Sequence, residues 1–490
     1  MLPLFIIIPL AGAFIISVTG KYSRKVSYTI TWLVTFVLMV LSLKLLIKGG
    51  FTSYNIGGWA PPLGINLVAD GLSILILVII NTIVFVAANY SIGYIGKYTS
   101  KWTYFALYLV MLASMNAAVL TGDLFNLLIW IEVGGVASYA LVAFGTRAEE
   151  LEASFKYAVL NTVGLLFILM GVCLLYAYTS TLNMADMAQI LAQKPDNKLI
   201  SFVIVLFLIG AGMKSAIVPF HAWLPDAHSS APSPISALLS GVLVKSLGIY
   251  TLLRVMFNVF GITLLISKTF LIMGTASIIL GGILAVYQND IKRMLAYSTI
   301  SQIGYIFFAL GLGTPLGYFA ALFHLVNHAY AKALMFMTAG AVVNAADDIR
   351  DIREMGGFGK KMPVTSITSI IGSMSISGIP PFGGFWSKLL IIVAAIQAGQ
   401  YMGAFIAVII SIITLSYYLK LQKHVFFGEL KSKWAGIKEA PVSMCVSMIV
   451  LAAVCIGLGL LYVPALKAIV LDPAVNVLIN GSSYADAVMK

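Results

Sequence analysis

The sequence predicts an all-α polytopic membrane protein, a single transmembrane domain over 1–490 with about fourteen membrane-crossing helices. Three observations carry this. Sixty per cent of the residues are hydrophobic and 10% charged, with a mean hydropathy of +1.00; a water-soluble chain could not hide that much apolar surface. Apolar runs of roughly 18 residues or more, each able to cross a hydrocarbon layer of roughly 30 Å, recur along the whole length. The connections between them are short, without low-complexity segments or a soluble domain.

The first run, MLPLFIIIPLAGAFIISV, lacks a basic leader and is followed at once by KYSRK. It reads as a retained span over 2–18, not as a cleaved signal peptide. Further spans fall near 26–47, 70–92, 104–121, 124–143, 155–179, 200–219, 232–256, 263–287, 294–312, 316–343, 364–398, 402–424 and 441–465. The longer connections are 48–69, 180–199, 344–363 and 425–440; the first is rich in Gly, Pro and aromatics and suits a packed extramembrane turn. After the last span the sequence leaves no room for a long C-terminal arm.

Two spans are broken by their own residues: GAGMKSAIVPFHAWLP at 210–225 and SGIPPFGGFWSK at 377–388. Proline removes a helix hydrogen bond and glycine loosens the backbone, so both should unwind partway. Irregular backbone at membrane depth survives only where protein or water shields it. Each break carries a lysine, Lys214 or Lys388, and a broken helix recurring in two parts of a transporter marks its pathway and an internal repeat.

The net charge of +12 records topology more than a nucleic-acid partner. If the loops after odd-numbered spans face the cytoplasm, they hold 18 of the 30 Lys and Arg residues, against eight on the other face and four within spans. That is the positive-inside pattern, and it places both termini outside an inner or plasma membrane. Cys173, Cys445 and Cys455 lie in apolar spans without CxxC spacing, which argues against a disulfide framework, an iron–sulfur cluster or a zinc site.

The informative residues are those that do not belong in hydrocarbon. Lys214, Lys245, Lys332 and Lys388 are joined within the spans by Glu132, His324 and His328. A charge at the bilayer centre costs about 2.5–3.5 kcal/mol. These groups must therefore face a shared polar interior, pair with one another or lose their charge. In AALFHLVNHAYAKALMF, His324, His328 and Lys332 stand four apart, and each such step advances about 6 Å along a helix and about 40° around it. They form one stripe of proton-binding side chains. Burial disfavours the charged form of an amine and a nearby carboxylate restores it, while histidine can take a proton on one ring nitrogen and release it from the other. A lateral proton relay needs these types. Each residue also has a plainer role open to it: Glu132 a static ion pair, Lys214 a cap on unwound carbonyls, the histidines a hydrogen-bonded cluster with Asn327, and Lys332 a helix end reaching solvent. Asp123 reads as a helix cap.

Other chemistries find little support. The 324/328 pair lacks the glutamate of HExxH, and axial haem ligation needs histidines on facing helices, whereas His221, His228 and His424 lie near cytoplasmic ends. No GxGxxG, P-loop or nucleophile elbow stands in a strand–helix context. No catalytic centre, cofactor or metal is expected, only ion movement.

PFHAWLPDAHSSAPSPISALLSGVLVKSLGIYTLLRV (219–255) resembles the signature of the antiporter-like subunits of respiratory complex I, of the related membrane-bound hydrogenases and of multisubunit Mrp sodium/proton antiporters. TGDLFNLLIWIEVGGVASYALVAFG, EASFKYAVLN, KRMLAYSTISQIGYI, HLVNHAYAKALMF and GIPPFGGFWSKLLI are similar to the family's other blocks, in the same order. The resemblance implies fourteen helices with two inverted five-helix repeats, here 104–256 and 263–424, and broken helices seven and twelve. It implies that Glu132 and Lys214 form the gating pair, that Lys245 connects, that His324 and His328 belong to the relay, and that Lys388 is the terminal site, which is glutamate in some relatives. TGDLFN is similar to the D-type Mrp subunit, whereas LPDAHSSAPSPISALLSG and PPFGGFWSK look closer to hydrogenase and complex I relatives.

The reading that follows is a proton-translocating subunit, with sodium coupling open, in a hydrogenase-like or complex I-like assembly and among other membrane subunits. A D-type Mrp subunit is the second reading. An independent carrier of a small anionic solute bound by Lys214, and a scaffold whose ionic residues only hold helices together, are the rivals from other classes.

Overall fold

The computed structural model describes residues 1–193 and 197–489, apart from the side chain of Lys97; residues 194–196 of the expected 180–199 connection, and Lys490, lie outside the described residues. The architecture is a helical bundle. Helices α1 (Leu4–Thr19), α2 (Arg24–Lys48), α3 (Gly71–Tyr94), α4 (Lys101–Leu120), α5 (Leu124–Val142) and α6 (Ala148–Thr179) lead to the short α7 (Met184–Ala192). Next come α8 (Lys198–Ser215), α9 (Trp223–Ser230), α10 (Ser233–Val259), α11 (Leu264–Tyr287), α12 (Ile291–Gly311) and α13 (Pro315–Ala345). The chain continues through α14 (Pro363–Ser377), α15 (Gly383–Gln397), α16 (Tyr401–Val425) and α17 (Val442–Tyr462). It closes with α18 (Pro464–Val470), α19 (Asp472–Ile479) and α20 (Ser483–Met489). Among the described residues, 11 helices are long and apolar enough to cross a membrane, and α1 and α15 are shorter apolar helices. Helix α13 is long and wholly buried along its polar stripe.

One departure from an all-helical chain occurs in the 48–69 connection. Thr52–Asn55 (β1) pairs antiparallel with Asn66–Ala69 (β2), Thr52 opposite Ala69. The Gly- and Pro-rich loop between them permits the reversal, so the expected packed turn is a small hairpin.

Burial sorts the helices into two shells. Helix α10 is buried throughout its length and α12 nearly so, whereas α2, α6, α11 and α16 turn apolar side chains outward. The outer helices touch the inner ones through small residues. A Cβ at Gly281 of α11 would stand 2.5 Å from the Ser301 nitrogen, and one at Gly304 of α12 would stand 2.6 Å from the Ile278 nitrogen. These backbones are in contact, the approach small residues allow when lipid supplies no hydrophobic drive between helices.

Both expected breaks are present. Helix α8 stops at Ser215, Ala216 is left-handed at φ 52°, and a cis Val218–Pro219 bond precedes α9. Helix α14 stops at Ser377, Gly378 is left-handed at φ 83°, and a cis Pro380–Pro381 bond precedes α15. The freed polar groups are taken up locally: Trp223 Nε1 donates to the Met213 carbonyl at 2.9 Å, and the Val218 N–H donates to Ser277 Oγ at 2.9 Å. At the second break a Cβ on Gly384 would stand 1.7 Å from the Ser375 carbonyl oxygen, so only glycine lets α15 start this close to the end of α14.

Candidate functional site: a buried band of ionisable side chains

The site begins on α5. Glu132, Gly135 and Tyr139 stand at i, i+3 and i+7, one face of the helix. Asp123 caps this helix, its carboxylate accepting the Asn126 N–H at 2.7 Å, as the sequence suggested. Opposite that face the last turn of α8 presents Lys214, 5% exposed, whose Nζ donates to the Tyr139 hydroxyl at 3.2 Å. A Cβ at Gly135 would stand 3.5 Å from that Nζ and 2.8 Å from the hydroxyl, so the glycine makes room for the contact. Lys214 also feels the charge of Glu132, yet no ion pair joins the two. One Glu132 carboxylate oxygen, Oε2, is buried without a hydrogen-bond partner among the described residues. The static ion pair expected as the plainer role of Glu132 is therefore not formed.

Helix α10 carries the next group. Residues Leu239–Ile249 are wound as π-helix, a form that recurs at functional sites. Lys245, 1% exposed, donates to the Ser240 carbonyl at 2.5 Å. Three residues on, a Cβ at Gly248 would stand 2.8 Å from the carbonyl carbon of Lys214, so the two lysine-bearing helices touch there. From Ser240 the polar contacts continue: its hydroxyl meets Thr299 Oγ1 at 2.8 Å, Thr299 donates to the Leu295 carbonyl at 2.9 Å, and Lys332 Nζ donates to the same carbonyl at 2.9 Å. Lys332 also donates to the Tyr418 hydroxyl at 3.1 Å. It is 0% exposed, which removes the alternative that it reaches solvent from a helix end.

The stripe on α13 is real and fully interior. His324 and His328 lie side by side, ring centres 6.3 Å apart and planes within 4° of parallel. His324 Nδ1 is 3.0 Å from Ser387 Oγ, whereas His324 Nε2 and both nitrogens of His328 have no hydrogen-bond partner among the described residues. Beyond them Lys388 of α15 stands over the Tyr305 ring at 5.2 Å, its Nζ likewise without a hydrogen-bond partner among the described residues. It lines a cavity of about 250 Å³ with Ser377, Ser411 and apolar side chains of α15 and α16. His324 and His328 both lie within electrostatic reach of Lys245 and Lys388. Six of the seven residues are buried, with Glu132 half-buried at the α5 end, and together they form a band through the bundle from α5 to α15. Direct hydrogen bonds link only parts of it; none joins Lys214 to Lys245 or His328 to Lys388.

Sequence reasoning undercounted this interior. Arg254, not counted among the four cations within spans, is 1% exposed and makes a two-pronged pair with Asp70 at 2.7 and 2.8 Å. Lys292, assigned to a cytoplasmic loop, is 3% exposed and donates to the carbonyls of Ser229 and Ala231. His228, read as lying near a helix end, is 0% exposed. Tyr139 was missed although its spacing from Glu132 signals it. Outside the membrane the hydrogen-bonded Arg353 guanidinium holds the Asp351 carboxyl below the usual carboxylate range. The three cysteines are free thiols, Cys173 exposed on the helix surface, Cys445 half-buried and Cys455 buried.

Known proteins resemble this chain in sequence and fold. The family described as NADH:quinone oxidoreductase/Mrp antiporter, transmembrane, matches residues 121–414. The N-type membrane component of NADH-quinone oxidoreductase from Desulforudis audaxviator is 34% identical over 432 residues, 85% of this chain and 86% of that protein. The D-type component of the Na(+)/H(+) antiporter from Alkalihalophilus pseudofirmus is 32% identical over 431 residues, 87% of each. Among solved structures, a chain of the Mrp complex from Dietzia sp. DQ12-45-1b superposes with a TM-score of 0.93 at 26% identity, covering 100% of this chain and 99% of that one. A chain of the membrane-bound sulfane sulfur reductase, an archaeal respiratory membrane complex, superposes with a TM-score of 0.91 at 30% identity over 99% of each. Two broken helices, a polytopic bundle and this similarity over nearly the full length have one reading: the chain belongs to the NADH:quinone oxidoreductase/Mrp antiporter family of membrane subunits.

Proposed function

We propose that the chain is the proton-translocating membrane subunit of a multisubunit, complex I-like or hydrogenase-like respiratory assembly. In this reading Glu132, Lys214, Lys245, His324, His328, Lys332 and Lys388 carry the proton. The observation that supports it is the band itself, in which six ionisable side chains are buried in the helical bundle beside half-buried Glu132, and several nitrogens lack protein partners among the described residues. Such groups are costly unless water or a moving proton serves them.

The chemistry follows from neighbours. On α5, Lys214 holds the Tyr139 hydroxyl, and Glu132 stands two turns earlier on the same helix face. A lysine beside a carboxylate keeps its proton, and one held only by a neutral hydroxyl in a dry site gives it up more easily. Moving Lys214 between the two loads and unloads a proton. Lys245, at the contact between α8 and α10, passes it toward the histidines, whose two ring nitrogens suit a hand-over. Lys388 is the far terminus. The chain holds no redox centre in this reading; electron transfer or ion flux in neighbouring subunits drives it. Both termini face outward, and 104–256 and 263–424 are the two inverted repeats, each with one broken helix and one lysine at the break.

The superposition on the Mrp complex supports a second assignment, a D-type component of an Mrp antiporter, in which sodium is the counter-ion. Isolation of the native complex and identification of its other subunits separates the two. The function itself is tested by reconstituting that complex in vesicles and following internal pH. Lys214→Ala and Glu132→Ala are expected to abolish proton movement while the complex still assembles; wild-type pumping in both variants overturns the reading.

A further inference from the structure

On the basic face, the start of α6 and the loop after α13 enclose a polar mouth of about 310 Å³. Its walls are ion pairs, Arg147 to Asp348 at 2.9 Å and Arg350 to Glu149 at 2.8 Å. Its floor is Lys292 with the Ser229–Ala231 backbone, and Ser230 also borders a second polar recess of about 330 Å³. Ser229, Ser230 and Ala231 line the mouth, and His228, the residue just before them in the chain, is fully buried.

Where that ring lands is informative. The stripe on α13 runs His324, His328, Lys332, and its next step of four is Phe336. The His228 ring lies on Phe336, centres 4.6 Å apart and planes at 20°. His228 therefore occupies the next place along the stripe, supplied by a different helix. Neither of its ring nitrogens has a hydrogen-bond partner among the described residues, and Lys292, Lys332 and Lys245 all lie within electrostatic reach. A histidine kept only for packing would ordinarily satisfy at least one nitrogen.

We propose that His228 is the inlet of the relay: it takes protons from water in the mouth above Lys292 and hands them to the neutral amine of Lys332 or Lys245. One ring nitrogen binds the incoming proton and the other releases one, so the ring ends neutral with its tautomer exchanged and the lysine ends as an ammonium. The proposal rests on the proton-translocating reading above and adds the place where the band meets solvent.

The test uses the reconstituted complex. His228→Phe keeps an aromatic ring on Phe336 and removes both nitrogens. Proton translocation is expected to fall by roughly tenfold or more in an assembled complex; translocation at the wild-type rate overturns the inlet. If His228→Phe does not assemble, Ser230→Cys in a background lacking Cys173, Cys445 and Cys455 decides the matter. A membrane-impermeant thiol reagent added on the basic face is expected to slow translocation in proportion to labelling, and full labelling without effect overturns the proposal. Lys245→Ala run in parallel separates the two levels. Loss in Lys245→Ala with normal rates in His228→Phe removes only the inlet, whereas normal rates in both remove the relay as well.

Discussion

Gly135 shows how one missing side chain sets up the chemistry of others. It lies between Glu132 and Tyr139 on α5 and lets the Lys214 ammonium reach the Tyr139 hydroxyl. In Gly135→Ala the new carbon would meet the hydroxyl, the movable end of a side chain, so the fold is expected to survive while the Lys214 contact is lost. Translocation should slow by about tenfold, the consequence of losing about 1.4 kcal/mol from the rate-limiting step, with little change in thermal unfolding. Tyr139→Phe should give a loss in the same direction. Wild-type translocation in both would mean that Tyr139 does not serve Lys214. At this scale the sequence was legible wherever a charge interrupts an apolar run, as with Lys245, because hydrocarbon makes each such residue conspicuous. It was not legible for Tyr139 or His228, whose types are ordinary in membrane helices and near helix ends and whose roles depend on what faces them.

Among the elements, the two breaks could be read directly, since Pro219, Pro380 and Pro381 each remove a helix hydrogen bond and Gly378 loosens the backbone beside two of them. The π-wound segment around Lys245 could not. Nothing in LSGVLVKSLGI separates π from α winding, and the winding is stated only by backbone bonds and by the Lys245 contact with the Ser240 carbonyl. The 52–69 hairpin was hidden in the same way, because its strands are four residues each and pair only across the loop. The α11–α12 interface gives this scale its prediction. Gly304→Val places carbon against the Ile278 nitrogen and the Gly274 carbonyl oxygen, both backbone atoms that cannot turn aside. Overpacking of this kind costs about 1–3 kcal/mol, so the unfolding temperature in detergent should drop measurably. An unchanged temperature would mean that the helices are not in backbone contact.

Across the whole molecule, the band lies in the interior while a second polar cluster fastens the C-terminal helices to α3 and α10. Arg254 pairs with Asp70 at the start of α3, stacks on Tyr484 at 4.4 Å and contacts Asn258, which donates to the carbonyls of Val477 and Gly481. The clasp joins α3, α10 and the C-terminal helices. No local pattern announces it, because Asp70 and Arg254 are 184 residues apart. Removing one partner of a buried pair strands the other charge, so Arg254→Met should cost about 3–5 kcal/mol of stability. Joining it with Asp70→Leu should restore part of that in thermal unfolding; no recovery would mean the loss comes from packing alone. The central claim concerns the other polar system, and Lys245 is its middle member, touching the α8 side through Gly248 and the α13 side through Ser240 and Thr299. Proton translocation by the reconstituted complex carrying Lys245→Ala tests that claim most directly. The account predicts an assembled complex that moves no protons; translocation at the wild-type rate would contradict it.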